Sequence, residues 1–322
     1  MDTESITLGH SDLHLLPLGV GTMTWGKPAL RHRFHPAQLA YGPSLGPDEE
    51  RNAVEASLSA GVTLFDTAEM YSYGASEQRL GELTRDKDVL IATKFPEGFL
   101  FPRAENLPGA LQASLRRLQR KRIDLYQVHY PFQSLSIPKV MELMADEVGK
   151  GTIRAVGVSN FTAEQMRSAH EILQRRGIPL ASNQVQYSLL YRKPEVDGVM
   201  DVCRELGITL IAYMPLAMGA LTGKYTPRSR PRGLRRLMKQ FRRKELEQVV
   251  PVVDLLNEIG LKYTKSAAQV ALRWLIQQGD VVPIPGAKTG QQAAHNAGAL
   301  GFRLSGQEME ALSQATIRWR SK

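Results

Sequence analysis

The stretch "GVGTMTWG", Gly19 to Gly26, decides between two folds. A doubly wound dinucleotide-binding sheet opens with Gly-x-Gly-x-x-Gly running straight from strand into helix, so that the helix N-terminus meets the pyrophosphate. Here the glycines stand at 19, 21 and 26, and a long loop rich in Pro, Gly and His, Lys27 to Asp48, intervenes before the first helical pattern. The doubly wound reading fails at this point.

Outward from there, short β-rich runs alternate with longer amphipathic ones. The strand-like runs are Leu16–Gly21, Val62–Thr67, Val89–Phe95, Ile123–His129, Ile153–Ser159, Ala181–Tyr187, Ile208–Met214 and Val281–Gly286, eight in all. Helical patterns lie between them, several opened by the capping boxes Thr162/Gln165, Thr289/Gln292 and Ser305/Glu308. Eight βα units in one chain of 322 residues predict a (β/α)8 barrel, one domain over 1–322. "ITLGHSDLHLLPLG" reads as an N-terminal hairpin positioned to plug the barrel's lower end. Extra helices are expected after the seventh strand, where "ELEQVVPVVDLLNEIG" stands, and at the C-terminus.

Composition is that of an ordinary soluble protein, 43% hydrophobic and 23% charged. The opening residues lack a basic-then-apolar leader and no apolar run reaches membrane-spanning length, so a cytoplasmic location without a membrane partner is expected. The single cysteine, Cys203, falls on the apolar side of its helix and reads as a buried, inert thiol. The net charge of +9 is local: Lys224 to Lys244 hold ten Lys and Arg and no acid, and without them the balance is −1.

A barrel enzyme builds its site from strand C-termini and the loops after them. Those positions hold Asp66 and Tyr71 after the second strand, Lys94 on the third and His129 on the fourth. Ser159 and Asn160 follow the fifth, Gln184 lies in the sixth, Tyr213 ends the seventh, and Gly286 to Lys288 follow the eighth. Singly, each has an ordinary explanation: a turn aspartate, a solvated lysine, a satisfied histidine. Together they bring an acid, a phenol, an ammonium and an imidazole to one mouth. Carbonyl reduction by hydride needs a proton for the nascent alkoxide, and a phenol with pKa near 10 is a poor donor. Lowering it by about three units takes roughly 4 kcal/mol, which one ammonium about 4 Å away supplies at an effective dielectric of 20. Lys94 is expected to do this for Tyr71, Asp66 to hold Lys94 charged, and His129 to place the carbonyl. No metal site is expected. Walker, His-Glu-x-x-His and Gly-x-Ser-x-Gly motifs are missing from the sequence, and a Glu69/Glu77 glycosidase pair would leave Lys94 unexplained.

The chain resembles the aldo-keto reductases along nearly its whole length. The resemblance is carried by "LPLGVGTMTWG", "FDTAEMYSYGASEQRLGE", "IATKF", "DLYQVHYP", "GKGTIRAVGVSNFTAEQ", "NQVQYSLL", "IAYMPLAMGALTGKY" and "PIPGAKTGQQAAHNAGAL". It implies a catalytic tetrad of Asp66, Tyr71, Lys94 and His129, and an NADPH-dependent reductase of aldehydes or ketones. By the same resemblance Ser159, Asn160 and Gln184 bind the carboxamide, with Tyr213 stacked on the nicotinamide. Thr22, Met23 and Asp66 border its ribose side. Leu216, Gly219, Leu221 and Lys224 follow the pyrophosphate, and Gly286, Lys288, Gln292 and Asn296 surround the adenosine 2′-phosphate and adenine. Many relatives carry Arg at Gln292, a change that weakens a strict NADPH preference, and Glu at His295, which bears on the adenine contact. Lys288 still keeps NADPH ahead of NADH. "GALTGKY" and the C-terminal motif look most like the branch that includes plant pyridoxal reductases. Trp25, the Lys27–Asp48 loop, Tyr130 to Phe132 and the basic segment are expected to line or cover the substrate pocket.

Two other roles are weighed. Some proteins of this fold serve as cofactor-binding subunits of potassium channels, but "SNF" at 159–161 followed by a plain helix departs from that branch. The basic segment reads as a solvated surface, as cations over the cofactor phosphates, or as a nucleic-acid or membrane contact. "LRRLMKQFRRKELEQVV" has a helical look, with Leu234, Leu237, Met238 and Phe241 on one side. Nothing else in the sequence supports nucleic-acid recognition, so no nucleic-acid partner is expected.

Overall fold

The structure, a computed structural model, describes residues 4–27, 42–95, 103–131 and 134–321. Two short strands, β1 (Ile6–Thr7) and β2 (His14–Leu15), pair antiparallel as the predicted hairpin. Eight strands then form one parallel sheet in sequential order: β3 (Gly19–Gly21), β4 (Leu64–Asp66), β5 (Leu90–Phe95), β6 (Ile123–Val128), β7 (Ile153–Ser159), β8 (Leu180–Gln186), β9 (Thr209–Tyr213) and β10 (Val281–Pro283). The sheet closes on itself where Gly21 bridges Gly286 and its N–H donates to the Pro285 carbonyl at 3.1 Å. This is a (β/α)8 barrel. Its first and last strands are shorter than the β-rich runs because Pro17, Pro283 and Pro285 lack the N–H a ladder needs.

Helices alternate with the strands: α1 (Pro47–Ser59), α2 (Ala75–Thr84), α3 (Leu107–Leu118), α4 (Ile137–Gly149), α5 (Ala163–Arg175) and α6 (Val199–Leu206). After β9 come α7 (Arg243–Tyr263) and α8 (Ala267–Ile276), and after β10 come α9 (Gly290–Ala297) and α10 (Gly306–Ala315). Thr162 and Ser305 form the full capping boxes expected of them. Thr289 caps α9 through the Gln292 N–H, but the Gln292 side chain accepts from the Lys288 N–H at 2.8 Å instead of closing the box. Ser266 and Gln269 make a box on α8 that the sequence reading passed over. Among the described residues no helix is long and apolar enough to cross a membrane.

Side chains alternate in and out along each strand, so the barrel interior is layered. The lower layer is apolar. Leu8, Leu13 and Leu15 of the hairpin are buried with Leu64, Ala92, Leu125, Ala155, Ile211 and Val282. The hairpin is therefore a floor. Gly9 sits at its tip with φ 56°, where a Cβ would lie 2.5 Å from the Ala181 carbonyl oxygen, and its N–H donates to Thr209 Oγ1 at 2.7 Å. The next inward positions along the strands, two residues on, are Asp66, Lys94 and Gln127. The polar layer thus follows from strand period alone, and it stands at the C-terminal mouth.

Candidate active site

Lys94 is fully buried, and its Nζ donates to Asp66 Oδ1 at 2.6 Å and to the Thr67 carbonyl at 2.8 Å. Burial pulls the Lys94 ammonium below its ordinary pKa, while Asp66, and more weakly Glu77, push it back up. The other Asp66 oxygen accepts from Gln184 Nε2 at 2.8 Å and Gln127 Nε2 at 3.4 Å. This carboxylate is held from both sides, so its position, and that of the ammonium on it, is set by three strands. Thr22 anchors it further by donating to the Asp66 carbonyl at 2.9 Å.

Tyr71 begins a tight turn, Tyr71–Gly74, in which Ser72 and Tyr73 take left-handed φ of 51° and 55°. That strain presents the phenol ring to the mouth. The Lys94 Nζ stands 5.1 Å from the ring centroid, and the His129 ring meets it edge-on at 5.9 Å and 81°. The four residues expected to act together are therefore contiguous. Burial and the Lys94 charge both drive the His129 imidazole well below its ordinary pKa, so it is neutral at neutral pH. Its Nδ1 is buried without a hydrogen-bond partner among the described residues. Tyr130 stacks on it at 4.7 Å and 15°, and burial raises the Tyr130 phenol.

The expected nicotinamide-side residues form one network. Ser159 Oγ donates to the Gln184 carbonyl at 2.8 Å, Asn160 Nδ2 donates to the His129 carbonyl at 3.1 Å, and the Tyr213 hydroxyl donates to Asn160 Oδ1 at 3.0 Å. Left-handed backbone clusters here without glycine: Asn160 (φ 60°), Met214 (52°), Ala217 (48°) and Met218 (58°), followed by Gly219 (93°). Such strain persists only where the surroundings over-determine it. Leu216, Gly219 and Leu221 lie in or beside this turn, Leu221 fully buried, and Lys224 is exposed over the Tyr225 ring at 5.7 Å. Met23 is half-buried next to Thr22. Asn296 Nδ2 donates to the Gly286 carbonyl at 3.4 Å.

Lys288 Nζ donates to the carbonyls of Gly42 and Pro43, each at 2.9 Å. Its pKa is lowered by burial and then by Arg235, so the basic segment returns a second cation to the same place. Arg235 reaches there by donating to the Tyr225 hydroxyl at 2.8 Å and the Met218 carbonyl at 3.3 Å. Nothing in the segment's sequence singles it out among ten. Gln127 was also missed, though its place two residues before His129 on one strand face was a usable signal. Trp25 is 0% exposed, packed on Phe65 at 6.3 Å, with its indole N–H donated to the Ala287 carbonyl at 2.7 Å. Phe132 and most of the Lys27–Asp48 loop lie outside the described residues. Cys203 is buried and its thiol is pushed up to about 12, as an inert core residue requires.

Behind the site Glu77, fully buried, accepts from Thr93 Oγ1 at 2.5 Å and from Arg117 Nε at 2.6 Å, locking α2 and α3 to the strand that carries Lys94.

The mouth of the closed βα barrel thus holds a buried ammonium–carboxylate pair beside a phenol and a neutral imidazole. The comparisons give its kind. The sequence model of the Aldo/keto reductase family matches residues 17–317, and the chain belongs to that family. It is thereby an oxidoreductase acting on carbonyl compounds. It is 36% identical to the chloroplastic pyridoxal reductase of Arabidopsis thaliana, over 94% of this chain and 84% of that one. It is 34% identical to an NADP(+) aldo-keto reductase of Schizosaccharomyces pombe, over 85% and 84%. Among solved structures, a glycerol dehydrogenase from Gluconobacter oxydans superposes with TM-score 0.84 at 26% identity, covering 100% of this chain and 98% of that one. A Klebsiella pneumoniae aldo-keto reductase in complex with NADPH does so at 0.73 and 25%, covering 100% and 97%.

Proposed function

We propose that the protein reduces an aldehyde or ketone to the alcohol with NADPH, with Tyr71 as proton donor. The carrying observation is the Lys94 ammonium, wholly buried, 2.6 Å from Asp66 and 5.1 Å from the Tyr71 ring centroid. When bound, the reduced nicotinamide supplies a hydride to the carbonyl carbon. His129, held neutral, donates a hydrogen bond to the carbonyl oxygen and aims it at Tyr71. Charge developing on that oxygen is met by the phenol proton, and the phenolate left behind is stabilised by Lys94. Asp66 keeps Lys94 cationic against burial.

The residues present fit the cofactor. The unpaired Nδ1 of His129 and the strained Asn160 and Met214–Gly219 backbone border one face of the mouth. Ser159, Asn160, Gln184 and Tyr213 would hold the nicotinamide end. Leu216, Gly219, Leu221 and Lys224 would follow the pyrophosphate, and Gly286, Lys288, Gln292 and Asn296 the adenosine end. Lys288 and Arg235, two cations gathered at one place, favour a 2′-phosphate and hence NADPH over NADH. The pyridoxal reductase relative makes pyridoxal the first aldehyde to try.

The test is a panel of aldehydes, ketones and pyridoxal with each reduced cofactor. Oxidation of NADPH by aldehydes is expected, with Tyr71→Phe losing turnover yet retaining NADPH binding by nicotinamide fluorescence. Undiminished turnover in Tyr71→Phe would remove the proton donor from the account. A wild-type protein that binds NADPH and reduces nothing would point to a cofactor-binding subunit.

A further inference from the structure

The basic segment does not form the amphipathic helix its spacing suggested. It breaks into two short 3-10 turns, Gly233–Leu237 and Lys239–Phe241, with Met238 extended between them, before α7 begins at Arg243. The break sorts the apolar side chains. Phe241 turns inward and is fully buried against Tyr225, at 5.3 Å and 81°. Leu234 and Leu237 turn outward and are 50% and 72% exposed.

Around those leucines stand Arg228, Arg232, Arg236, Lys239, Arg242, Arg243 and Lys244, all exposed. None of these seven forms an ion pair with a described residue. Other surface arginines of the chain do: Arg154 with Asp12 and Asp124, Arg167 with Glu205, Arg176 with Glu142 and Asp146. A solvated surface explains the unpaired cations. It does not explain two leucines held out among them at the cost of their hydration.

We propose that this face rests on an anionic lipid surface, with Leu234 and Leu237 entering the boundary between headgroups and acyl chains and the seven cations lying among acidic headgroups. Cations beside outward aliphatic side chains are the chemistry of peripheral membrane contact. A single-stranded nucleic acid would ask for exposed rings to stack on, and the segment's rings, Tyr225 and Phe241, are 8% and 0% exposed. A phosphate backbone would gain nothing from the leucines.

The test is sedimentation of the full chain with vesicles of phosphatidylcholine alone and with vesicles that also contain phosphatidylserine. Binding is expected only with phosphatidylserine and is expected to weaken as salt rises. Each cation removed should weaken it roughly fivefold, so R236E/R242E/R243E should abolish pelleting. L234S/L237S, which keeps every charge, should weaken binding about tenfold or more. Both variants should keep the far-ultraviolet circular dichroism and carbonyl reductase activity of the parent. Failure to pellet at low salt overturns the proposal. So does equal pelleting with neutral vesicles, or equal binding by L234S/L237S, which would leave a charge-only site of the kind nucleic acid uses.

Discussion

Replacing Asp66 by asparagine removes one charge and almost no volume, and the structure says what should follow. The ion pair to Lys94 is 2.6 Å long, with side-chain exposures of 0% for the lysine and 3% for the aspartate. Burial already opposes the ammonium, and Asp66 is the largest influence raising it. A unit charge pair about 4 Å apart is worth roughly 4 kcal/mol at an effective dielectric of 20. Without that support burial is opposed only by the weaker pull of Glu77, so the lysine gives up its proton more readily and its field on Tyr71 weakens. At about 1.4 kcal/mol per tenfold, kcat should fall about a thousandfold if the field is fully lost. The sign fixes the pH dependence. A lysine is charged below its pKa, and Asp66→Asn lowers that pKa, so the variant should regain activity as pH falls while the parent does not. The assay is the absorbance of reduced nicotinamide at saturating aldehyde across pH, with urea denaturation as the separate check on folding. Activity within tenfold of the parent at neutral pH, with a parallel pH profile, would refute the reasoning, because Lys94 would then stay charged without its carboxylate.

Other outcomes follow from neighbouring geometry. Lys288→Ala should narrow the preference for NADPH over NADH, read as the ratio of kcat/KM values; equal use of both cofactors by the parent would overturn the assignment. His129 is held neutral by burial and by Lys94. Its depressed pKa favours the fold above the unfolded histidine value near 6.5, and that contribution is lost as pH falls below it. Urea stability should therefore drop from pH 7 to 5, less steeply in His129→Gln; an identical slope in both would contradict it. Arg117→Met would leave Glu77 as a buried carboxylate with the Thr93 hydroxyl as its remaining donor among the described residues, and should cost about 3–5 kcal/mol in urea unfolding. A loss below about 1 kcal/mol would contradict it.

The barrel was legible because its strands carry their own punctuation. The second, third and fourth β-rich runs each carry a polar residue at or beside their C-terminal end, and period two then places Asp66, Lys94 and His129 together at the mouth. Glycine spacing at 19, 21 and 26 spoke against the rival sheet; in the fold Gly21 bridges Gly286 and Gly26 donates to Glu50 Oε1 at 3.1 Å. What stayed hidden depended on three-dimensional partners. The bond from the Trp25 indole to the Ala287 carbonyl joins residues 262 apart and shows only in the fold. Gln292 completes a capping box on paper, but the Lys288 N–H is a competing donor that only the folded turn presents. Arg235 is one of ten cations in its segment, distinguished by the Tyr225 hydroxyl and Met218 carbonyl that turn it inward. The helical look around Leu234 and Leu237 gives way to two 3-10 turns, with Phe241 buried against Tyr225, a partner that spacing alone does not show.

The central claim is that Lys94 makes the Tyr71 phenol acidic. Its most direct measurement is the phenolate absorbance titration of the parent protein, with the Tyr71→Phe titration subtracted. One phenol titrating well below the usual tyrosine value near 10 is predicted, returning toward that value in Lys94→Met. A difference curve at the usual value in the parent, or one unmoved by Lys94→Met, would contradict the account.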